Sequence, residues 1–387
     1  MFSLFPDIIT DLHKFFRIKP AEDLPLLFTF NPSHELALAD NHAGFTPNAM
    51  VAMMDRQLFL LPLLFARQHD LIFDASSNVV YDTNGDVVSI TGRKVIPFPW
   101  GWNRAIREKF RKVGVDEQML PGDDVLQTVR EMASRRFAAH YLSHFQSLAD
   151  SSLPDIFVGH HMTFHQSLDS LCRLDGPMIF KQPWSTSGRG NFVTETIDDR
   201  AEEKLKGFLR TQGGFLSDRF YEKTLDFAME FYVYTDGKVD FVGYSLFKAS
   251  ENGKYGGNLV ADQHEIKEEI GNALHSTSLA DDLVTTHCLL LSKFLGKRYT
   301  GFVGVDMMAV KMDGSRCCHP CVEINLRMNM GLVAMQAYRR PFLFLPFSEG
   351  EPEGAVLRSS AFCPSPTRRE RGFHTLLKSR FISIIYS

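Results

Sequence analysis

The sequence predicts an α/β domain over residues 1–125, followed by a strand-rich α+β region that extends to about residue 340. Residues 24–125 alternate apolar strand-like runs with a helical stretch, which is the pattern of an α/β domain. Residues 126–145 have a helical pattern, and most later strand-like runs lie between residues 174 and 335. The 387 residues are enough for two or three domains with cores of their own.

The elements of the first domain are expected in the order strand, helix, strand, strand. They are Leu26 to Phe30, Met50 to Gln68, Leu71 to Phe73 and Val79 to Tyr81. A later segment, Pro97 to Trp102, is predicted to be an aromatic loop that holds two of the three tryptophans. Such a loop either lines a ligand cleft or packs its tryptophans between domains.

A polar segment follows the first expected strand: Asn31-Pro32-Ser33-His34-Glu35. Ligands of open α/β sheets bind where strands end, which makes His34, Glu35 and Asn48 candidate substrate-binding residues. Alternatively, Ser33 caps the next helix and Glu35 lies in its first turn. The sequence alone leaves both interpretations open.

The most informative pattern is a pair of segments, Gly304 to Met308 and Val322 to Arg327, that are predicted to be neighbouring strands. Glu323 and Asn325 then share a face, and a four-residue turn over residues 313–316 sets Asp306 opposite Glu323. Neighbouring carboxylates repel, and a hard cation such as Mg²⁺ neutralises them. A solvated hairpin face is the alternative. The apolar flanking residues favour buried strands instead, where unpaired carboxylates are costly.

A second pattern is an apolar run that ends in Lys181 and continues into a loop of small residues. The loop consists of Ser185, Thr186, Ser187, Gly188, Arg189 and Gly190. Loops of this kind expose backbone N–H groups to phosphate oxygens, and a lysine at the strand end adds a positive charge. The motifs of P-loop and Rossmann sites do not occur in the sequence, which argues against those two ways of binding a nucleotide.

The order of these motifs over about residues 125 to 335 resembles the ATP-grasp superfamily. The resemblance implies two α+β lobes with antiparallel sheets, over residues 126–215 and 216–340, with ATP bound between them. It implies that Lys181 and the loop from Ser185 to Gly190 contact ATP phosphates. Its metal ligands correspond to Asp306, Glu323 and Asn325, and the cation beside the transferred phosphoryl group corresponds to Arg327.

Three further positions are assigned through the same resemblance. A second family lysine is replaced by Arg135 or Arg136, and Arg136 is taken here as the predicted ATP contact. Glu222 is the candidate for the ribose hydroxyls, and Glu230 is a candidate for lining the site. The alternative for each acid is a surface position on a strand.

The reaction implied by the resemblance is ATP-dependent ligation. A small-molecule carboxylate is activated as an acyl phosphate, and an amine or a similar nucleophile then displaces phosphate, so that ATP and Mg²⁺ are the expected cofactors. The alternatives are a phosphotransferase with a hydroxyl acceptor, or a nucleotide-binding protein without turnover. The identity of the substrates and the oligomeric state are left open.

Composition and net charge limit the partners and the location that we expect for this protein. The net charge of −4 and the pI near 6.4 give no general electrostatic reason to bind nucleic acid or an anionic membrane. No run of 18 apolar residues is present, so the cytoplasm is the expected location. The segment 341–387 is rich in proline and charge, and much of it is expected to be irregular.

The cysteines require a separate interpretation. Cys317, Cys318 and Cys321 flank His319 and Pro320, which is similar to a soft-metal cluster. A zinc site needs further ligands from elsewhere in the chain. We therefore expect reduced cysteines on and beside a strand, without a stoichiometric metal.

Overall fold

The computed structural model describes residues 24–149, 157–159, 162–171, 174, 176–185, 190–249 and 255–339. The described residues form two compact units, each with its own core. The first unit contains residues 24–126, 259–262 and 327–339, and the second contains the other described residues up to 326. The segment predicted to be irregular, 341–387, lies outside the described residues.

The first unit is an α/β domain. Among its described residues, four strands pair in the order β3-β2-β1-β4. They are β1 (Leu26–Thr29), β2 (Leu71–Asp74), β3 (Val79–Asp82) and β4 (Ile96–Pro99). The helices of this unit are α1 (His34–Asp40), α2 (Ala49–Leu58), α3 (Arg104–Val113) and α9 (Met330–Arg339). The three strands expected from the sequence, β1 to β3, are confirmed.

The helix expected from Met50 to Gln68 is shorter than predicted. It ends at Leu58, and a separate 3-10 helix covers Leu61–Leu64. Pro62 lies in the first turn of that 3-10 helix. Because proline has no N–H and its ring clashes with the preceding helical turn, a continuous helix through this position is disfavoured.

The predicted aromatic loop is also wrong in its first half, since residues 96–99 form the edge strand β4. Strand β4 runs parallel to β1, with Pro97 opposite Leu27 and Pro99 opposite Thr29. The residues on either side of the prolines donate their N–H groups toward β1. Ile96 N donates to Pro25 O at 2.9 Å, and Trp100 N donates to Thr29 O at 2.8 Å. Proline is tolerated in this strand because an edge strand does not need every N–H.

The core of the first unit packs α3 against the sheet. Phe110 of α3 is fully buried, and its ring lies 5.5 Å from that of Phe73 on β2. The helix begins at a side-chain cap, because Asn103 Oδ1 accepts a hydrogen bond from Ile106 N at 2.9 Å. It ends at Gly114, whose φ of 102° is a left-handed conformation that favours glycine.

The second unit contains two antiparallel sheets among its described residues. The smaller sheet has the order β5-β8-β6-β7, and the larger has the order β11-β10-β9-β12-β13. The strands are β5 (Thr163–His165), β6 (Met178–Lys181), β7 (Phe192–Thr194), β8 (Phe215–Arg219), β9 (Glu222–Val233), β10 (Val239–Ala249), β11 (Tyr255–Asn258), β12 (Gly301–Met312) and β13 (Ser315–Asn325). The helices are α4 (Asp123–Met132), which starts in the first unit, α5 (Arg135–Ala149), α6 (Asp199–Gln212), α7 (Gln263–Leu274) and α8 (Ser278–Phe294).

Each sheet of the second unit buries one face against helices. In the smaller sheet, Phe180 and Phe215 pack against Leu205 and Phe208 of α6. In the larger sheet, helices α5, α7 and α8 cover one face, and the ring of Phe231 lies 6.0 Å from that of His287 on α8. Strand residues alternate between faces, so every second side chain points away from these helices. No helix in the described part of the chain combines the length and the apolar character of a membrane span.

The hairpin between β12 and β13 differs from its predicted turn but keeps the predicted pairing. The turn has only two residues, Asp313 and Gly314, with φ values of 51° and 79°, as in a type I′ turn. From this turn the ladder runs to Met308, opposite His319, and then shifts, so that Asp306 lies opposite Glu323 as predicted. In the shift, residues 320–322 face Met307 alone.

The shift is a β-bulge, and Pro320 explains why it occurs there. A proline inside a ladder has no N–H to donate, and strands accommodate it at bulges or edges. The bulge therefore compensates for the short turn and restores the pairing at the polar end of the hairpin.

We predict that Gly314→Ala destabilises the second unit by about 1 kcal/mol, because alanine is strained at this positive φ. The matched control is Gly207→Ala in α6, where nothing lies within 4 Å of the added carbon. That substitution should stabilise the protein by about 0.5–1 kcal/mol through helix propensity. Urea unfolding of both variants is the measurement, and equal effects of the same sign would contradict the turn assignment.

Candidate functional site

The face of the larger sheet opposite to α7 and α8 carries an acidic row, which we define as Asp306, Glu323, Asn325 and Glu230. Asp306 and Glu323 are directly opposed, and Asn325 lies two residues further along β13, opposite Gly304. Gly304 is also paired with Glu230 on the other side of β12, so these side chains share one face. Asn325 and Glu230 are buried, and the side chain of Glu323 is 22% exposed.

Glu230 extends the acidic row onto β9. It is one of the two acids that the sequence analysis considered, and it is 1% exposed. Ser245 Oγ on β10 donates a hydrogen bond of 3.3 Å to Glu230 Oε1. A buried carboxylate needs such donors or a cation, so this position fits a site better than a surface.

Glu222, the other acid, lies away from the acidic row. It is exposed at the start of β9, opposite Lys311, and its Oε1 is 3.8 Å from Lys311 Nζ. Lys311 lies five positions further along β12 than Asp306, which is about 17 Å along a strand. Its proposed contact with ribose stays a prediction.

Lys181 lies at the end of β6, on the side of the smaller sheet that is not packed against α6. It is buried, and its strand neighbour across the ladder is Leu216 of β8. Burial lowers the pKa of Lys181, while the charges of Asp218, Glu323 and Asp306 act in the opposite direction. The charge of Lys181 therefore interacts with two of the three carboxylates of the acidic row, Asp306 and Glu323. Within the described residues it forms no ion pair of its own.

Arg135 links three parts of the second unit. Its Nη1 donates to Gln182 O and to Ser185 Oγ, both at 2.8 Å, and its Nη2 donates to Glu323 Oε2 at 2.8 Å. Its backbone N also donates to Pro183 O at 2.9 Å. With 3% of its side chain exposed, Arg135 connects the start of α5, the loop after β6 and the acidic row.

Arg136 occupies a different position from its neighbour. It is exposed, and its guanidinium lies 5.3 Å from the centre of the Phe164 ring. Of the two arginines between which the sequence could not decide, only Arg135 contacts the acidic row in the structure. The assignment of Arg136 as the ATP contact stays a prediction.

The loop after β6 is described only at its ends. Ser185 is buried and accepts the hydrogen bond from Arg135. Gly190 has a φ of 85°, and a side chain there would meet Gln182 at 3.3 Å. The other predicted loop residues, Thr186, Ser187, Gly188 and Arg189, lie outside the described residues.

The three cysteines of the cluster lie on β13, in the interior of the second unit. Cys317, Cys318 and Cys321 are free and buried. Burial raises the pKa of the Cys318 and Cys321 thiols, which favours the protonated form over the thiolate that metals bind. His319 does not point to these thiols, because its Nε2 lies 2.9 Å from Asp218 Oδ2.

The donor set of the acidic row fits Mg²⁺. In the part of the chain that the structure describes, no three His, Cys, Asp or Glu side chains form a group that could hold a metal. A magnesium site does not need three, since this ion is usually held by one or two carboxylates together with water and phosphate. Asp306 and Glu323 supply two carboxylates, and Asn325 adds an amide oxygen on the same face.

The first unit has a second polar cluster where β1 and β4 end. Asn31, after β1, donates from Nδ2 to Gly101 O at 2.8 Å and accepts from Gly101 N at 3.3 Å. His34 is 1% exposed and lies 3.4 Å from Asn103 Nδ2 through its Nδ1, while its Nε2 is buried without a partner. The carboxyl ends of neighbouring parallel strands are the usual ligand position in such sheets.

Arg327 belongs to this cluster in the first unit and forms an ion pair with Glu35. Burial alone would raise the pKa of Glu35, but the neighbouring charges of Arg327 and His34 hold it below its usual value. The predicted role of Arg327 beside a transferred phosphoryl group is not tested by this arrangement and stays a prediction.

The structure bears on the capping alternative for the polar segment and on Asn48. Ser33 is the N-cap residue of α1 and Glu35 lies in its first turn, as that alternative expected, but the Ser33 side chain makes no capping hydrogen bond. Asn48 does cap α2, because its Oδ1 accepts from Val51 N at 3.1 Å. Asn48 therefore has a structural role, whereas His34 and Glu35 remain candidate substrate-binding residues.

Asn31, Asn103, Asp218 and His319 are polar residues of these clusters that the sequence analysis did not assign to a site. Each lies in or beside an apolar segment, where a buried polar residue is uncommon. A polar residue in or beside an apolar segment is therefore the signal by which the sequence could have indicated these positions. The partners lie 69 to 101 residues away, so the contacts themselves could not be found.

Comparison with known proteins gives only distant likenesses. Neither a family model nor a curated protein matches the sequence. Among solved structures, the chain is similar to an L-amino acid ligase from Bacillus licheniformis, at 15% identity and a TM-score of 0.40, over 64% of this chain and 52% of that one. A biotin carboxylase complex from Campylobacter jejuni matches at 12% identity and a TM-score of 0.39, over 64% and 51%.

A D-alanine-D-alanine ligase from Helicobacter pylori matches at 12% identity and a TM-score of 0.34, over 54% of each chain. The chain thus spans about half the length of these solved structures. Likenesses of this size decide neither the fold nor the chemistry of the chain.

We predict that His34 makes the stability of the protein depend on pH. Burial lowers its pKa from 6.5 to about 4, so between these values the unfolded state binds a proton that the folded state does not. Stability should therefore fall by about 2 kcal/mol from pH 7 to pH 5 through this group. Urea unfolding of the parent and of His34→Gln at both pH values is the measurement. An equal pH dependence in the two proteins would contradict the prediction.

We also predict that the two neighbouring arginines differ in their contribution to stability. Arg135→Met removes its hydrogen bonds and leaves Glu323 without its buried cation, which should cost about 3 kcal/mol. Arg136→Met is the matched control and should cost less than about 0.5 kcal/mol, because this residue is exposed. Urea unfolding of both variants compares the two. Similar losses would mean that Arg135 is not a structural link.

Proposed function

We propose that this chain is an ATP-dependent ligase of the ATP-grasp superfamily and that its second unit binds Mg-ATP. The single observation that carries the proposal is the group of opposite charges formed by the buried Lys181 and Arg135 and the half-buried Asp306 and Glu323. A lysine from one sheet interacts electrostatically with two carboxylates from the other, and these carboxylates are only partly exposed to water. Such a group is suited to a highly charged ligand that brings its own cation.

Different residues of the second unit would contact the phosphates and hold the metal ion. Lys181 and Arg135 would donate hydrogen bonds to phosphate oxygens, and their burial would strengthen those contacts. Asp306, Glu323 and Asn325 would hold Mg²⁺, which, when bound, neutralises negative charge on the phosphates. Ser185 would be positioned by Arg135 at the start of the loop that is predicted to cover the phosphates.

The proposed reaction has two displacements. An oxygen of the substrate carboxylate attacks the γ-phosphorus, the bond to the β-phosphate oxygen breaks, and ADP leaves. The nitrogen of an amine then attacks the acyl carbon, phosphate leaves with the bonding electrons, and the nitrogen loses a proton. In this scheme the protein contributes mainly position and charge.

The polar cluster of the first unit is our candidate for one of the two other substrates. His34, Glu35 and Arg327 combine a neutral ring nitrogen, a carboxylate and a guanidinium at a strand-end position. This combination favours a small polar molecule. The identity of the carboxylate and of the nucleophile stays open.

The test begins with binding. We predict that Mg-ATP at about 100 times its Kd stabilises the parent by about 3 kcal/mol and that Asp306→Asn and Glu323→Gln lose most of this gain. The physical reason is the loss of a carboxylate that holds the cation. Melting curves with and without Mg-ATP are the measurement, each compared with the metal-free form of the same variant. This comparison is needed because Glu323→Gln also loses its bond to Arg135.

The matched control is Glu269→Gln, an exposed acid on α7 that should leave the gain unchanged. If Asp306→Asn and Glu323→Gln keep the full gain, the acidic row does not hold a nucleotide-bound cation. Turnover is then tested with pools of amino acids and small carboxylates. ADP with free phosphate supports a ligase, ADP with a phosphorylated product supports a phosphotransferase, and no ADP supports a binding protein.

A further inference from the structure

The second unit contains a buried histidine–carboxylate pair that the proposed function does not use. His319 of β13 and Asp218 of β8 have side chains that are 0% and 2% exposed, and His319 Nε2 lies 2.9 Å from Asp218 Oδ2. An ionised carboxylate can only accept hydrogen bonds, so Nε2 carries the hydrogen and donates it. The pair connects the strand of the acidic row to the smaller sheet.

The surroundings of His319 are shaped to hold this ring. A side chain at Gly159 would come within 2.7 Å of His319 Nε2, and Gly159 has a φ of 103°, so only glycine fits there without strain. Gly159 N donates to Tyr221 Oη at 3.0 Å, and the Tyr221 ring lies edge-on to His319 at 5.8 Å. The ring is therefore enclosed on at least two sides and has little room to turn.

Asp218 is in turn a neighbour of Lys181. On the antiparallel strands β6 and β8, Lys181 is opposite Leu216 and Ile179 is opposite Asp218. Lys181 and Asp218 are therefore diagonal neighbours on one face of the smaller sheet, within reach of a long side chain. The second oxygen of Asp218 accepts from Arg219 N at 2.8 Å, so both oxygens are held.

We propose that His319 is a positioning residue of the nucleotide site: its hydrogen bond fixes the Asp218 carboxylate, which keeps the Lys181 side chain directed at the acidic row. Lys181 needs such support because Arg135 repels it, while Asp218, Glu323 and Asp306 attract it. A fixed carboxylate on the side of the smaller sheet gives the ammonium one preferred direction. This inference rests on the proposed function, since it assumes that Lys181 contacts Mg-ATP.

The experiment is a double-mutant cycle on Mg-ATP affinity, measured by calorimetry. His319→Leu removes the donor, and His319→Gln keeps an N–H that can reach the same oxygen. Both changes are made in the parent and in Lys181→Met. His319→Leu should weaken binding by about tenfold in the parent and by less than about twofold in the Lys181→Met background. His319→Gln should restore affinity to within about threefold of the parent.

A purely structural role gives a different result, because a general loss of packing would weaken binding equally in both backgrounds. The control Cys318→Ala changes a fully buried neighbour on the same strand and should leave affinity unchanged. Equal effects of His319→Leu in both backgrounds, or no effect in the parent, would overturn the inference. If Lys181→Met binds too weakly to measure, recovery in His319→Gln but not in His319→Leu supports the inference, and equal loss in both overturns it.

The experiment also covers a variant that does not fold and a parent that does not bind Mg-ATP. If His319→Leu does not fold, Asp218→Asn replaces it in the same cycle, since it removes the charge and keeps the shape. If the parent itself does not bind Mg-ATP, the proposed function fails. That result differs from a parent that binds normally while the cycle shows no coupling, which contradicts only the role of His319.

Discussion

The arrangement of the second unit depends on one buried cation, the guanidinium of Arg135. It is held at the start of α5 and reaches the loop after β6 and the carboxylate of Glu323 on β13. A buried ion pair adds little net stability over an apolar replacement, but removing one partner leaves an uncompensated charge. The pair therefore acts mainly as a constraint on geometry. It keeps the loop beside the acidic row and neutralises one of two opposed carboxylates.

Arg135 also changes how the opposed carboxylates should be understood. From the sequence alone, Asp306 and Glu323 are two like charges that require a metal. In the structure, Glu323 already has a cation within 2.8 Å, so the acidic row can fold without a bound ion. Binding of Mg²⁺ to Glu323 would compete with this pair. Under the proposed function, the affinity of the row for Mg²⁺ would therefore depend on whether Arg135 moves from Glu323 to the phosphates of the bound nucleotide.

Most of the correct predictions from the sequence rest on patterns within short segments. Apolar runs predicted strands β1 and β2 of the first unit, and the spacing of Glu323 and Asn325 predicted their common face. The turn at Asp313 was predicted with the wrong length, because an Asp-Gly pair fits both a short type I′ turn and a longer loop. The pairing of Asp306 with Glu323 was nevertheless right, since the bulge at Pro320 offsets the error. Contacts such as Asp218 with His319, or Glu35 with Arg327, join distant segments, and no local pattern encodes them.

The prolines of β4 have a consequence for the backbone donors at the outer margin of the sheet. The residues that donate toward β1 are Ile96 and Trp100, and by alternation the N–H groups of residues 97 and 99 would point away from the sheet. Both of those residues are proline, so the outer margin of β4 offers no donor at either position. All four residues of β4 are buried, so an N–H at residue 97 or 99 would need a partner away from water. The same two residues that mislead a strand prediction thus remove two donors that would otherwise have to be satisfied inside the protein.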